Sequence, residues 1–255
     1  MRLVLASLLA ALALAPLAPA RADDGKLAVY AAASLTEVVT ALGKRFEPAT
    51  IVPSFGSSSE LARQIKDGAP ADVFLSASPD WIASVKEAGK LDGDPVVFAR
   101  GSLVAIAAKG SPLAAKGVVD AATLLEKGLA PGDRVAIADA GVPAGEYARK
   151  ALASLGLAAA YEPRLVGQKD VRAVLHAVES GELPAGFVYA TDARVAEVEV
   201  LFAFDPKTHP PIEYLAGAVK GAKHGAEAHA FLTFLRSEAT QAELVAAGFR
   251  LPAPE

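Results

Sequence analysis

The sequence predicts an α/β protein of two lobes, each a mainly parallel sheet flanked by helices. Three observations carry that reading. Strand-like and helix-like segments alternate from Lys26 onward. The alternation starts afresh after a long apolar stretch at Val96 to Ala108. One more strand and a terminal helical stretch then close the chain without a sheet of their own. Such alternation builds parallel sheets with helices on both faces, because each crossover helix packs back on the sheet.

Taken in order, Leu27 to Ala32 is an apolar run of strand length, and Leu35, Val38, Val39, Leu42 and Phe46 then recur at helical spacing. Thr50 to Phe55 reads as a strand, Ser59 to Lys66 as the start of a helix, Asp72 to Ser76 as a strand, and Pro79 to Ala88 as a helix. Pro79 suits a first helical turn, where its missing N–H is not needed. In the second unit Asp120 to Lys127 reads as helix, Arg134 to Ala138 as strand, Gly145 to Leu155 as helix and Arg164 to Val166 as a short strand. Val171 to Glu179 is an amphipathic helix stopped by Gly181. Gly186 to Ala190, Val198 to Phe204 and Ile212 to Val219 read as strands, and Ala226 to Ala247 as helix. The simplest arrangement returns the last strand and helix to the first lobe. Lobe 1 is then residues 23–102 and 213–255, lobe 2 is 103–212, and the chain crosses between them twice at a hinge.

The first residues stand apart. Met1-Arg2 gives a basic start, Leu3 to Leu17 is an almost unbroken run of Leu, Ala and Val, and Ala20-Arg21-Ala22 fits the small-x-small cleavage rule. The run falls short of the roughly 20 residues that a membrane-spanning helix needs. Residues 1–22 therefore read as a secretory signal peptide cut between Ala22 and Asp23. A lipid-anchored form needs a cysteine at the cut, and the chain has none.

Composition narrows the function classes. The formal net charge is −4, and it becomes more negative without Arg2 and Arg21. Nucleic acid and anionic membranes call for clustered Lys and Arg, which are absent here. Without Cys there are no disulfides and no thiolate metal sites, and without Asn there is no Asn-linked glycosylation. No nucleophile elbow, zinc-protease helix, phosphate-binding loop or dinucleotide fingerprint occurs. The histidines, His176, His209, His224 and His229, have no metal-ligand spacing, and none is placed to activate a serine. The reading is a binding protein, not an enzyme.

The candidate chemistry lies where strands run into helices. Ser34 ends a strand with Glu37 three residues on, and Ser57 and Glu60 repeat that spacing after Gly56, both as capping boxes. Gly141 to Glu146 is a small-residue turn with Pro143 opening a helix, and Gly167 to Val171 also leads into one. Taken singly, each junction is an ordinary helix cap. In a parallel sheet, however, all of them gather at the carboxyl edge, where open α/β folds bind ligands. Helix N-termini there offer unpaired N–H groups and partial positive charge, so together they form a small-anion site.

The same segments carry a family resemblance. The stretches AAASL (Ala31 to Leu35), SFGSSSELARQIKDGAPADVF (Ser54 to Phe74), VPAGEYA (Val142 to Ala148), KDVRAVL (Lys169 to Leu175) and GFVYATDA (Gly186 to Ala193) resemble those of the molybdate-binding proteins of ABC import systems. The resemblance runs over essentially the whole chain after the signal. It implies a type II periplasmic-binding-protein fold with the ligand in the interlobe cleft. It also implies a monomer in the periplasm that needs no cofactor, binds molybdate or tungstate and hands it to an ABC permease in the inner membrane. Matched motif by motif, the implied ligands are the hydroxyls of Ser34 and Ser58, the amides of Ala144 and Val171, and the phenol of Tyr189. Ser57 and Ser59 are left as cap or solvent-facing residues.

A site of neutral donors disfavours a protonated phosphate, which needs an acceptor, and none of the proposed ligand positions supplies a carboxylate. Sulfate matches molybdate in charge, so a sulfate receptor of the same fold is the alternative.

Overall fold

The computed structural model describes residues 25–252; the expected signal peptide lies outside them. Ten strands form two five-stranded sheets. The first contains β1 (Lys26–Ala32), β2 (Thr50–Gly56), β3 (Val73–Ser76), β4 (Val96–Arg100) and β10 (Glu213–Ala218), in the order β2-β1-β3-β10-β4. The second contains β5 (Leu103–Ala108), β6 (Val135–Ala138), β7 (Leu165–Gln168), β8 (Ala185–Tyr189) and β9 (Val198–Ala203), in the order β7-β6-β8-β5-β9.

Both sheets are mixed. In the first, β1 pairs parallel with β2 and β3, while β10 pairs antiparallel with β3 and β4. In the second, β6 pairs parallel with β7 and β8, while β5 pairs antiparallel with β8 and β9. Four strands of each sheet thus share a direction and one is reversed. The reversed strands, β5 and β10, are the two that follow a crossing between the sheets.

The apolar stretch from Val96 to Ala108 is two strands rather than one. It breaks at Gly101-Ser102, with β4 in the first sheet and β5 in the second. The second crossing, from residue 204 to 212, runs beside the first, and the Gly101 amide donates to the Ile212 carbonyl at 2.9 Å. A Cβ on Gly101 would lie 3.1 Å from Ile212 and 3.2 Å from the Tyr214 ring, so the approach of the two crossings favours glycine.

The longer helices are α1 (Thr36–Gly43), α2 (Ser58–Lys66), α3 (Pro79–Glu87), α4 (Pro143–Ser154), α5 (Val171–Glu179), α6 (Gly225–Leu235) and α7 (Glu238–Ala246). The terminal helical stretch is therefore two helices, and Ser237 caps the second by accepting from the Thr240 amide. Period-two alternation sends β3 into both faces of its sheet. Val73 and Leu75 join the main core with α1 and α6, while Phe74 packs with Leu61, Ile65, Ile82 and Val85 under α2 and α3. Each fully buried side chain of this kind contributes roughly 1.5–3 kcal/mol. No helix among the described residues is long and apolar enough to cross a membrane.

Candidate functional site

One cavity of about 220 Å³ opens between the sheets, lined by the residues that follow six strand ends. Ala32, Ala33 and Ser34 follow β1; Gly56, Ser57 and Ser58 end or follow β2; Ala77 follows β3. From the other sheet come Val142, Pro143 and Ala144 beyond β6, Asp170 and Val171 beyond β7, and Tyr189 at the end of β8. All five residues singled out from the sequence thus line a single cavity. Its volume is below the roughly 300–1,000 Å³ of sites for drug-sized ligands, so it suits a small ion.

Ser34 does not cap a helix. It sits within a 3₁₀ turn (Ala33–Leu35), and the residue that precedes α1 is Leu35, without a side-chain cap. Its partner in the expected capping box, Glu37, instead holds the Arg172 guanidinium. Ser34 is buried, and its Oγ has no hydrogen-bond partner among the described residues. An orphaned hydroxyl costs about 1–3 kcal/mol unless a ligand or water engages it.

The serine triplet divides its labour. Ser57 caps α2 by accepting from the Glu60 amide at 3.3 Å. Ser59 is 2% exposed and lies 3.1 Å from the Ser57 hydroxyl, so it does not face solvent as the sequence suggested. Ser58 accepts from the Ala77 amide at 3.0 Å, which leaves its own O–H to donate into the cavity.

The second lobe offers backbone. Pro143 opens α4, so Ala144 lies in its first turn, and Val171 is the first residue of α5. Amides at these positions have no partner within their helix. Gly145 brings α4 onto β6, since a Cβ there would meet the Ala138 carbonyl oxygen at 2.1 Å. Asp170 caps α5 by accepting from the Ala173 amide at 2.9 Å. Asp170 also lines the cavity, with one of its carboxylate oxygens taken by that cap.

Tyr189 is 1% exposed, and its hydroxyl has no hydrogen-bond partner among the described residues. Burial pushes the phenol well above its usual range, with Tyr214, Tyr147 and Asp192 adding to the effect. It therefore remains a neutral donor. The Tyr214 ring packs edge-on against it at 5.9 Å.

Among the described residues no Lys, Arg or His lines the cavity, so helix ends are what it offers an anion. No cluster of His, Cys, Asp or Glu that could hold a metal occurs among the described residues.

Sequence reasoning missed three groups around this cavity, two of which join the lobes. Trp81 on α3 donates from Nε1 to the Gly141 carbonyl at 2.8 Å. Arg172 on α5 reaches Glu37 on α1. Asp192 is fully buried beneath Tyr189 and accepts from its amide at 3.1 Å. Only the adjacency of Arg172 to Val171 in the KDVR stretch could have drawn attention to it.

Comparison with known proteins follows the same lines. The family model of bacterial extracellular solute-binding proteins matches residues 27–250. The chain is 37% identical to the molybdate-binding protein ModA of Haemophilus influenzae, over 94% of this chain and 95% of that protein. It is 38% identical to its Escherichia coli namesake, over 89% and 90%. Among solved structures, the periplasmic molybdate-binding protein of Azotobacter vinelandii superposes with a TM-score of 0.77 at 25% identity, over 89% of this chain and 99% of that one. The chain belongs to the bacterial extracellular solute-binding proteins and, within them, to the molybdate-binding ModA family.

Proposed function

We propose that this chain captures molybdate, and tungstate with it, in the interlobe cavity and delivers it to an ABC permease. The observation that carries the reading is the meeting of five residues able to offer neutral donors, from both sheets, at one small cavity that no cationic side chain among the described residues lines. Ser34 and Ser58 donate hydroxyls, Ala144 and Val171 donate amides, and Tyr189 donates its phenol. Each charge-assisted hydrogen bond to a dianion contributes on the order of 1.5–3 kcal/mol. A handful of them offsets desolvation and supports micromolar or tighter binding, about −8 kcal/mol or better.

We place the lobe boundaries at 102/103 and 212/213, beside the paired crossings. Ligands drawn from both lobes favour the closed form by their differential affinity for it, and the permease then reads closure. The protein works as a monomer in the periplasm, after removal of residues 1–22, and has no enzymatic role.

The test is a competition titration of molybdate, tungstate, sulfate and phosphate, read by the fluorescence of Trp81, whose indole spans the cleft to Gly141, and by melting temperature. Molybdate and tungstate are expected to bind and stabilise far more strongly than the other two. Equal stabilisation by sulfate overturns the molybdate assignment and leaves an oxyanion receptor. Phosphate carries a proton near neutral pH, and its rejection depends on the Asp170 carboxylate remaining committed to the helix cap.

A further inference from the structure

Three of the segments that bring ligands to the cavity each carry a charged residue that the ion itself does not use. Glu37 lies one turn beyond Ser34, Arg172 follows Val171, and Asp192 lies three residues beyond Tyr189. These charges meet. The Arg172 guanidinium grips the Glu37 carboxylate in a two-pronged contact, with Nη1 donating to Oε1 at 3.0 Å. Its Nε lies 3.0 Å from Oδ1 of Asp192, an ion pair without hydrogen-bond alignment, and the other Asp192 oxygen accepts from the Tyr189 amide. Arg172 and Asp192 belong to the second sheet's lobe, and Glu37 stands on α1 against the first.

We propose that Arg172 is a positioning residue that latches the lobes shut: Asp192 anchors its guanidinium within lobe 2, and Glu37 receives it only when lobe 1 has closed. The latch rests on the oxyanion-receptor reading above and adds to it a reason for slow release. An arginine beside an anion site is ordinarily taken as a remote counter-charge. Here two carboxylates surround it, so the three groups together carry no surplus positive charge when both carboxylates are ionised. Planar two-pronged pairing also fixes orientation, which a lysine at this position does not reproduce.

The latch and the counter-charge idea make opposite predictions for Glu37. Removing a carboxylate near the site strengthens the binding of a dianion if Coulomb attraction is all that matters. Removing the latch weakens it. Glu37 is half exposed, with 50% of its side chain accessible, so the effect is modest and the fold is unaffected.

The test uses the full cleaved chain at pH 8 with Glu37→Gln, Arg172→Lys and the double variant. Molybdate release is followed by stopped-flow fluorescence of Trp81. The closed-to-open ratio without ligand is read by single-molecule energy transfer between dyes on the two lobes. Glu37→Gln is expected to speed release about threefold and to lower the closed-to-open ratio by a similar factor, with the melting temperature unchanged. Because both residues serve one contact, the double variant is expected to lose no more than the larger single effect. Unchanged or slower release from Glu37→Gln, or fully additive losses in the double variant, overturns the latch. If wild-type protein fails to bind molybdate, the functional reading falls, and the ligand-free closed-to-open ratio alone decides the latch.

Discussion

The two lobes are built to one plan and furnish the cavity by different means. Both sheets place three parallel strands on one side of a reversed strand, and both turn three strand ends toward the cavity. In the site proposed above, the first sheet supplies side-chain hydroxyls, Ser34 and Ser58, each held by its own local circumstances. In the same proposal the second supplies the first-turn amides of α4 and α5, with Tyr189 as the single side-chain donor. Lobe 2 therefore sets most of its donors by where helices begin, which Pro143 and the Asp170 cap decide. Lobe 1 sets its donors by which side chain stands at two positions. A substitution can delete a lobe 1 donor at will, whereas a lobe 2 amide survives almost any change of side chain.

That contrast is open to direct attack. The largest effect is expected from Val171→Pro, which removes the amide while suiting the first position of a helix, after an Asp170 that is already extended. Molybdate affinity should fall by roughly 10–100-fold in a calorimetric titration, with the melting temperature held. Wild-type affinity in this variant sinks the claim that lobe 2 binds through its backbone. Ser58→Ala should weaken binding about tenfold and also lower ligand-free stability by about 1 kcal/mol in urea melts, because the Ala77 amide loses its acceptor. Ser34→Ala should lose a similar tenfold in affinity with no loss of ligand-free stability, since its hydroxyl bonds to none of the described residues. A stability loss at unchanged affinity would make Ser34 structural and erase the distinction between the lobes.

A last test is read in stability across pH rather than in affinity, and it concerns the floor of lobe 2. Burial holds the Asp192 carboxyl up at about 7, against the Arg172 charge and the Tyr189 amide, which pull it down. Between pH 3.8 and about 7 the folded chain keeps a proton that the unfolded chain has released. Its contribution to stability therefore falls as pH rises through that window. Ligand-free melts across this range should show the decline, and Asp192→Asn should flatten it. An identical slope in both proteins removes Asp192 as its source.

The alternation of strands and helices was legible because burial on one face or both leaves a period in the sequence. Strand direction leaves none, so the reversal of β5 and β10 could not be read. Neither could the break at Gly101-Ser102, since β4 and β5 are both apolar and run on without a turn signal. At the site, the cap pattern was right for Ser57 and wrong for Ser34. Neither glutamate completes the expected box: Arg172, 135 positions on, holds Glu37. Glu60 accepts from Gln64 at 3.2 Å, one turn on along its own helix. A spacing pattern names candidate partners, and a side chain near or far along the chain can take the one it implies. The gathering of the five ligand candidates was legible through the resemblance, and the charged contacts behind them were not.

The place of β10 between β3 and β4 bears on the order in which the molecule is made. A chain that has emerged only as far as residue 212 holds every strand of the second sheet. Of the first it holds two unjoined pieces, β2-β1-β3 and β4 alone. The smaller piece has nothing to pair with, and β3 presents an open edge of the kind that recruits stray strands. Closing the gap requires contacts between segments far apart in sequence, which form slowly. The nascent chain thus spends its most vulnerable interval waiting for its own last strand.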